Sequence, residues 1–142
     1  MSNFFIEREV NSFLLKRLYG DQDNPLHLMK NLQDRTRVFA LNIIRFCNSL
    51  PNHSVYRVIR YQLLRSATSV GANYRAACHA QSRPAFLAKL AIVEEETDET
   101  LFWLELLRDL EYQHDDLPKL LDEASQLTAI IVASRKTAKR NR

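Results

Sequence analysis

Proline and glycine are scarce in this chain of 142 residues, and their positions are informative. The chain contains four prolines and two glycines: Pro25, Pro51, Pro84, Pro118, Gly20 and Gly71. Proline costs about 3 kcal/mol inside a helix but fits its first turn. Prolines that are few and separated by about 30 residues are therefore typical of a chain of long uninterrupted helices. The sequence therefore predicts an all-α protein.

Cysteines are also few, and long hydrophobic runs are absent. Cys47 and Cys78 are too few for a disulfide framework or a zinc site, so we expect reduced, buried, structural thiols. Charged residues interrupt every apolar run before the ~20 residues that a bilayer span needs. The N-terminus carries Glu7 and Glu9 and lacks a small-residue cleavage site, unlike a signal peptide. We expect a cytoplasmic protein with no membrane partner.

Apolar residues recur at three- and four-residue spacing in four segments, which predicts four amphipathic helices. The first covers residues 28–50, and the second starts at an N-cap at Asn52 or Ser54 and ends near residue 79. Ser82 is the predicted N-cap of the third, which ends near residue 112. Asp115 or Asp116 precedes the fourth. The core face of the third helix is predicted to be Phe86, Leu90, Val93, Thr97, Leu101, Leu104 and Leu107.

Short connections between these helices imply an antiparallel, up-down four-helix bundle formed by residues 28–142. Residues 1–27 are predicted to be an N-terminal extension of the bundle. Whether this extension contains an extra helical segment is left open. The residues that suggest a short helix there are Phe4, Phe5, Val10, Phe13, Leu14 and Leu18.

The third helix is apolar on several sides, which is unusual for a helix of a small monomeric bundle. Four of its residues lie off the predicted core face: Ile92, Phe102, Trp103 and Leu106. Helices that are apolar on several sides are buried on several sides, so we expect these residues to contact a second copy of the chain. The alternative is that the N-terminal segment covers Trp103 within one chain.

A stripe of small residues follows the second helix beside its core face: Ser66, Ser69, Asn73, Ala76 and Ala80. Small side chains let another backbone approach closely, and Gly71 fits the same need. We interpret these residues as helix packing, with a ligand cradle as the alternative.

Charge is sorted by helix. The second helix carries four arginines and no acid, whereas the third is strongly acidic, so ion pairs between these neighbours are expected. The C-terminal tail is basic and acid-free, although the formal net charge is only +3. Basic residues there either complement the helix dipole or bind phosphate. The candidate nucleic-acid-binding residues are Arg135, Lys136, Lys139 and Arg140, with Arg57 and Arg60 as weaker candidates.

No catalytic fingerprint of a common enzyme class is present, so we predict no enzyme, metal, cofactor or small-molecule substrate. Only Glu111 and His114 have the Glu-x-x-His spacing of a di-iron bundle, and such a site needs two pairs. Arg108 and His114 have the spacing of the Arg-x4-6-His motif of helical HEPN ribonucleases. A ribonuclease that uses these two residues therefore remains an alternative.

Four separated blocks carry a resemblance to a known family. They are QLLRSATSVGANYRAA (62–77), AQSRPAFLAKL (80–90), DETLFWLELL (98–107) and IVASRKTAKRN (131–141). In this order they resemble the 23S rRNA intervening-sequence proteins over about Leu32 to Asn141. The resemblance implies a left-handed bundle that assembles as a homopentamer, encoded within bacterial 23S rRNA genes or elsewhere in bacterial genomes, with a biochemical role that is largely unassigned.

A similar bundle is the accessory variability protein of diversity-generating retroelements, a basic pentamer that works with a reverse transcriptase and nucleic acid. That similarity implies RNA or DNA as a partner. The resulting prediction is a non-enzymatic oligomeric scaffold with electrostatic nucleic-acid binding. A protein-interaction module without nucleic acid and the ribonuclease are the alternatives.

Overall fold

A computed structural model describes the backbone of residues 25–140 and the side chains of residues 31–140. The helices are α1 (Pro25–Cys47), α2 (Ser54–Cys78), α3 (Arg83–Asp109) and α4 (Leu117–Arg140), and the described residues contain no strand. Helices that follow one another pack side by side, and α4 also meets α1. The predicted antiparallel four-helix bundle is confirmed, whereas the additional helix predicted before residue 25 lies outside the described residues.

Local signals fix some helix ends better than others. Ser82 is the N-cap of α3, as predicted, and its hydroxyl accepts a hydrogen bond from the Ala85 amide at 3.3 Å. The N-cap predicted for the second helix is wrong: His53 holds that position in an extended conformation and makes no side-chain cap bond. Helix α1 begins at Pro25, three residues earlier than predicted, because proline is favourable in a first turn.

The core consists of the inward-facing stripes of all four helices. Its largest fully buried side chains include Phe39, Ile43, Leu63, Leu90, Leu104, Leu107, Leu127 and Ile131. Burying a leucine or isoleucine completely contributes about 1.5–3 kcal/mol before entropy is counted. These stripes were predicted from periodicity, so the packing of the bundle follows directly from the spacing of apolar residues.

The core face of α3 differs from the prediction at one position, because Thr100 is buried and Leu101 is half-buried. The Thr100 hydroxyl lies 2.8 Å from the Glu96 carbonyl oxygen and 2.8 Å from the Ser66 hydroxyl on α2. A threonine that bonds the carbonyl four residues earlier satisfies its polar group, so the core accepts it. The small-residue stripe thus packs against α3 at Ser66.

Gly71 lies on the other side of α2 and faces the backbone of α1. A Cβ atom at Gly71 would be 3.5 Å from the Thr36 carbonyl oxygen and 3.8 Å from the Arg37 Cα. A larger side chain would have to displace α1 backbone rather than a flexible side chain. The predicted role of Gly71 in close helix packing is confirmed.

Ion pairs link neighbouring helices, as the sorted charges predict. On α2, Arg65 pairs with Glu96 at 3.1 Å and with Glu99, both on α3. A hydrogen bond from Arg65 lowers the pKa of Glu99, so this contribution to stability is present above the pKa of a free glutamate and is lost as the pH falls through the lowered value. On α1, Arg35 holds Glu123 of α4 through two bonds of 2.6 and 2.8 Å. Such partly exposed pairs contribute about 0–1 kcal/mol each.

Helix α3 ends in a left-handed residue that is not glycine. Glu111 has a φ of 57°, and the amide of Tyr112 donates to the Leu107 carbonyl at 3.0 Å. The Glu111 amide donates to the Arg108 carbonyl at 2.9 Å, which completes a Schellman motif. The residue in the left-handed position of this motif is usually glycine, because a Cβ costs about 1–2 kcal/mol in that conformation.

We expect Glu111→Gly to raise the free energy of unfolding by about 1 kcal/mol, less than the full steric gain because glycine adds entropy to the unfolded chain. Glu111→Gln is the control, since it removes the charge near a helix C-terminus but keeps the Cβ. Urea unfolding of the three proteins measures the difference. Equal gains in both variants would mean that charge rather than backbone strain is responsible.

Candidate nucleic-acid interface

Two stretches that meet at one end of the bundle contain no acidic residue. They are residues 70–93, which close α2 and open α3, and residues 127–140 of α4. Asp34 of α1, ion-paired with Arg37, and Glu94 of α3, ion-paired with Arg135, border these stretches. The guanidinium of Arg83 at the start of α3 donates a hydrogen bond to the Ala138 carbonyl of α4, so these elements meet in space. We call this region the acid-free end. Its basic residues are Arg75, Arg83, Lys89, Arg135, Lys136, Lys139 and Arg140.

Two of these residues hold α4 in place. Arg83 reaches a carbonyl of the last turn of α4, which is a common way to satisfy a helix C-terminus. Arg135 forms an ion pair with Glu94 of α3 at 2.8 Å and is partly buried. Arg135, predicted to bind nucleic acid, is therefore engaged inside the fold.

Four other basic side chains at the acid-free end are exposed to solvent: Arg75, Lys136, Lys139 and Arg140. Within the part of the chain that the structure describes, none of them forms an ion pair. Three of them were predicted from the basic tail. Arg75, Arg83 and Lys89 were missed as members of this surface because they are distant in sequence, and only the absence of acids from residues 70–93 pointed to them.

The two weaker candidates, Arg57 and Arg60, lie at the opposite end of the bundle. Arg60 donates hydrogen bonds to the carbonyls of Cys47 at 3.1 Å and Leu50 at 2.6 Å, so it closes the C-terminus of α1. Arg57 is exposed. The structure therefore does not bring either residue to the acid-free end.

Acidic residues cluster at that opposite end. The exposed carboxylates around the turn between α3 and α4 belong to Asp109, Glu111, Asp115 and Asp116. Arg57, Arg60, Arg108 and Lys119 lie at the same end, so charges of both signs occur there, whereas residues 70–93 and 127–140 carry positive charge alone. An anionic partner would therefore be attracted more strongly to the acid-free end.

A second surface, on α2 and α3, is apolar. Phe102 is 49% exposed, and its ring packs edge-on against the half-buried Trp103 at 5.1 Å. The Trp103 indole donates a hydrogen bond to Glu99 at 3.2 Å. The contact of Thr100 with Ser66 sets an antiparallel register that brings the start of α2 beside the end of α3.

This register adds residues that the sequence alone did not single out. Val55 and Val58 of α2 and Leu110, the C-cap residue of α3, are each more than half exposed. We define the α2–α3 apolar cluster as Val55, Val58, Phe102, Trp103, Leu106 and Leu110. Ile92, the fourth predicted contact residue, is half-buried and lies about 16 Å farther along α3.

The residues of the ribonuclease alternative make separate local contacts. Arg108 is exposed and bonds its neighbour Asp109 at 3.1 Å. The Nδ1 atom of His114 accepts a hydrogen bond from the Asp116 amide at 3.1 Å, and its ring packs edge-on against Phe46 at 5.0 Å. These contacts stabilise the turn between α3 and α4. Arg108 and His114 have no common contact partner among them.

The described residues form neither a metal site nor a reactive thiol site. No group of three His, Cys, Asp or Glu side chains there could hold a metal ion, and no helix there is long and apolar enough to cross a membrane. Cys47 and Cys78 are both free. Cys47 is buried, as expected, whereas the expectation that Cys78 is buried is wrong, because it is half-buried. Burial raises the pKa of each thiol to about 11, so both are protonated and unreactive at neutral pH.

Comparisons with known proteins agree with the fold. The family model of the 23S rRNA-intervening sequence proteins matches residues 31–133. A crystal structure of a protein of unknown function from the S23 ribosomal protein family of Bacteroides thetaiotaomicron is 34% identical, with a TM-score of 0.69. The match covers 77% of this chain and 98% of that one. No curated protein matches the chain.

Proposed function

The chain belongs to the 23S rRNA-intervening sequence protein family, and from that premise we propose that it is a non-enzymatic, oligomeric scaffold that binds the phosphate backbone of RNA or DNA. The observation that carries the proposal is the acid-free end, where exposed Arg75, Lys136, Lys139 and Arg140 face solvent with no carboxylate among residues 70–93 and 127–140. Two free thiols are consistent with a cytoplasmic location.

Binding at this end is electrostatic. Ammonium and guanidinium groups contact phosphate oxygens and release counterions, whereas base reading needs side chains arranged against base edges in a groove. Arg75, Lys136, Lys139 and Arg140 lie on helices that end with the bundle. No helix among the described residues projects from that end into a groove of the nucleic acid. We therefore expect affinity that falls steeply with salt and tolerates changes of nucleotide sequence.

Self-association would multiply this weak contact. The α2–α3 apolar cluster leaves aromatic and branched side chains in water, and a second copy of the chain is its proposed partner. In a symmetric ring, which the family resemblance suggests to be a pentamer, several acid-free ends could meet one strand. Joining weak sites in one particle raises avidity by about 10²- to 10⁴-fold when one strand reaches several of them.

The test of nucleic-acid binding is fluorescence anisotropy of labelled RNA and duplex DNA with the intact chain. Between roughly 50 and 200 mM salt, the association constant should fall linearly on a log–log plot and equally for unrelated sequences. No binding at low salt would contradict the proposal and favour a protein-interaction module. Cleavage of the RNA during the titration would favour a ribonuclease.

The oligomer is tested separately with Trp103→Glu, which places a charge in the α2–α3 apolar cluster. We expect light scattering to show a shift from oligomer towards monomer, because a buried unpaired charge opposes association. Ser125→Glu is the control, since Ser125 is an exposed residue of α4 that lies outside the cluster. A wild-type chain that is a monomer at micromolar concentration would contradict the oligomer.

A further inference from the structure

The outward side of α1 carries apolar residues that nothing in the described structure covers. Val38, Leu41 and Ile44 are 43%, 37% and 39% exposed, and they recur every three residues. We call them the α1 outer stripe. They lie apart from the α2–α3 apolar cluster, because α1 and α3 are not neighbours in the bundle.

A groove between α1 and α4 adjoins the α1 outer stripe. These two helices leave a cleft of about 520 Å³ between them. Val38, Phe39 and Leu120 supply its apolar lining, whereas its polar residues are Asn31, Asp34, Arg35, Asn42, Lys119 and Glu123. An apolar lining among polar residues suits one side of an amphipathic helix.

We propose that residues 1–24 of the same chain dock along the α1 outer stripe and this groove. The segment joins α1 directly at Pro25, so its effective concentration at this surface is high. Residues 20–24, GDQDN, are turn-forming and suit a reversal of the chain. The segment is long enough to reach the whole α1 outer stripe, because Ile44 lies about 28 Å along α1 from Pro25 and a chain spans up to ~3.3 Å per residue.

The sequence of the segment supports the same occupant. Its apolar residues, Val10, Phe13 and Leu14 among them, repeat at three- and four-residue spacing and need a surface to pack on. The family match begins at residue 31, so the segment is additional to the matched bundle. Docking on Trp103 is less favourable, because the segment is tethered to α1 and α3 lies diagonally across the bundle from it.

Limited trypsin digestion of the full chain tests the proposal, because the segment contains cleavage sites at Arg8, Lys16 and Arg17. A docked segment is cut slowly, at a rate that follows its undocked population. We expect Leu41→Asp to speed cleavage at these sites by at least ~10-fold, corresponding to about 1.4 kcal/mol of docking free energy. Phe13→Asp should have the same effect, and it leaves the sequence of the bundle unchanged.

Tyr61→Asp, an exposed substitution on α2, is the control and should leave these cleavage rates unchanged. Equal rates in wild type, Leu41→Asp and Phe13→Asp would overturn the proposal. Acceleration by Trp103→Asp without acceleration by Leu41→Asp would overturn it in favour of α3. Protection that disappears on dilution would assign the stripe to a second copy of the chain and would also overturn it.

Discussion

Replacing Lys136, Lys139 and Arg140 together with glutamine should lower the affinity of the chain for duplex DNA on the order of 10²-fold at low salt. All three side chains are exposed at the acid-free end, and none is used in an ion pair within the described residues. Each lost phosphate contact should reduce the slope of log K against log salt by about one for every protomer on the strand. Anisotropy titrations at several salt concentrations measure both quantities.

The control for this triple variant removes three positive charges from another part of the surface. Arg45, Arg108 and Lys119 are exposed and lie at the opposite end of the bundle, so their replacement by glutamine should alter affinity far less. Circular dichroism verifies that α4 stays folded, because Lys139 and Arg140 also complement the helix dipole by about 0.3–1 kcal/mol each. Equal losses in both triple variants would show that overall charge, rather than this surface, governs binding.

Gly71→Leu should lower the free energy of unfolding by about 1–3 kcal/mol, because the side chain would press on α1 backbone. The position where a Cβ would sit is already 3.5 Å from the Thr36 carbonyl oxygen, so further atoms require the helices to separate. Gly71→Ala is the matched control. Its methyl group makes an ordinary contact at that distance, and replacing a mid-helix glycine gains up to about 1 kcal/mol.

Urea unfolding of the wild type and both Gly71 variants checks the opposite signs of these effects. The two variants should share the wild-type m value, since neither changes the surface exposed on unfolding appreciably. If leucine and alanine had the same effect on the midpoint, close packing between α2 and α1 at Gly71 would be disproved.

The proposed function assigns nucleic-acid binding and self-association to two different surfaces, so each assignment can be tested without the other. Charge variants at the acid-free end leave the α2–α3 apolar cluster intact, and Trp103→Glu leaves the exposed basic side chains in place. A monomeric Trp103→Glu variant that still binds RNA weakly with a steep salt dependence would confirm both parts of the proposal. The loss of avidity in that variant would measure how many protomers contact one strand.

The sequence by itself determined the helices and most of the core. Helical periodicity is local, because residues three and four apart share a face whatever the rest of the chain does. Leu90, Leu104 and Leu107 were therefore predicted to be buried from spacing alone, and all three are. The N-cap at Ser82 was predictable for the same reason, since its hydroxyl bonds an amide three residues away.

Only the tertiary structure decided what the charged residues do. Arg60, Arg83 and Arg135 look like free basic residues in sequence, yet each contacts a carbonyl or carboxylate of another helix. Whether an arginine faces solvent or closes a neighbouring helix depends on which helix ends meet. Antiparallel packing decides this over separations of 13 to 55 residues along the chain. The acid-free end exists for the same reason: chain reversal brings Arg75 of α2 and Lys139 of α4 to one end of the bundle.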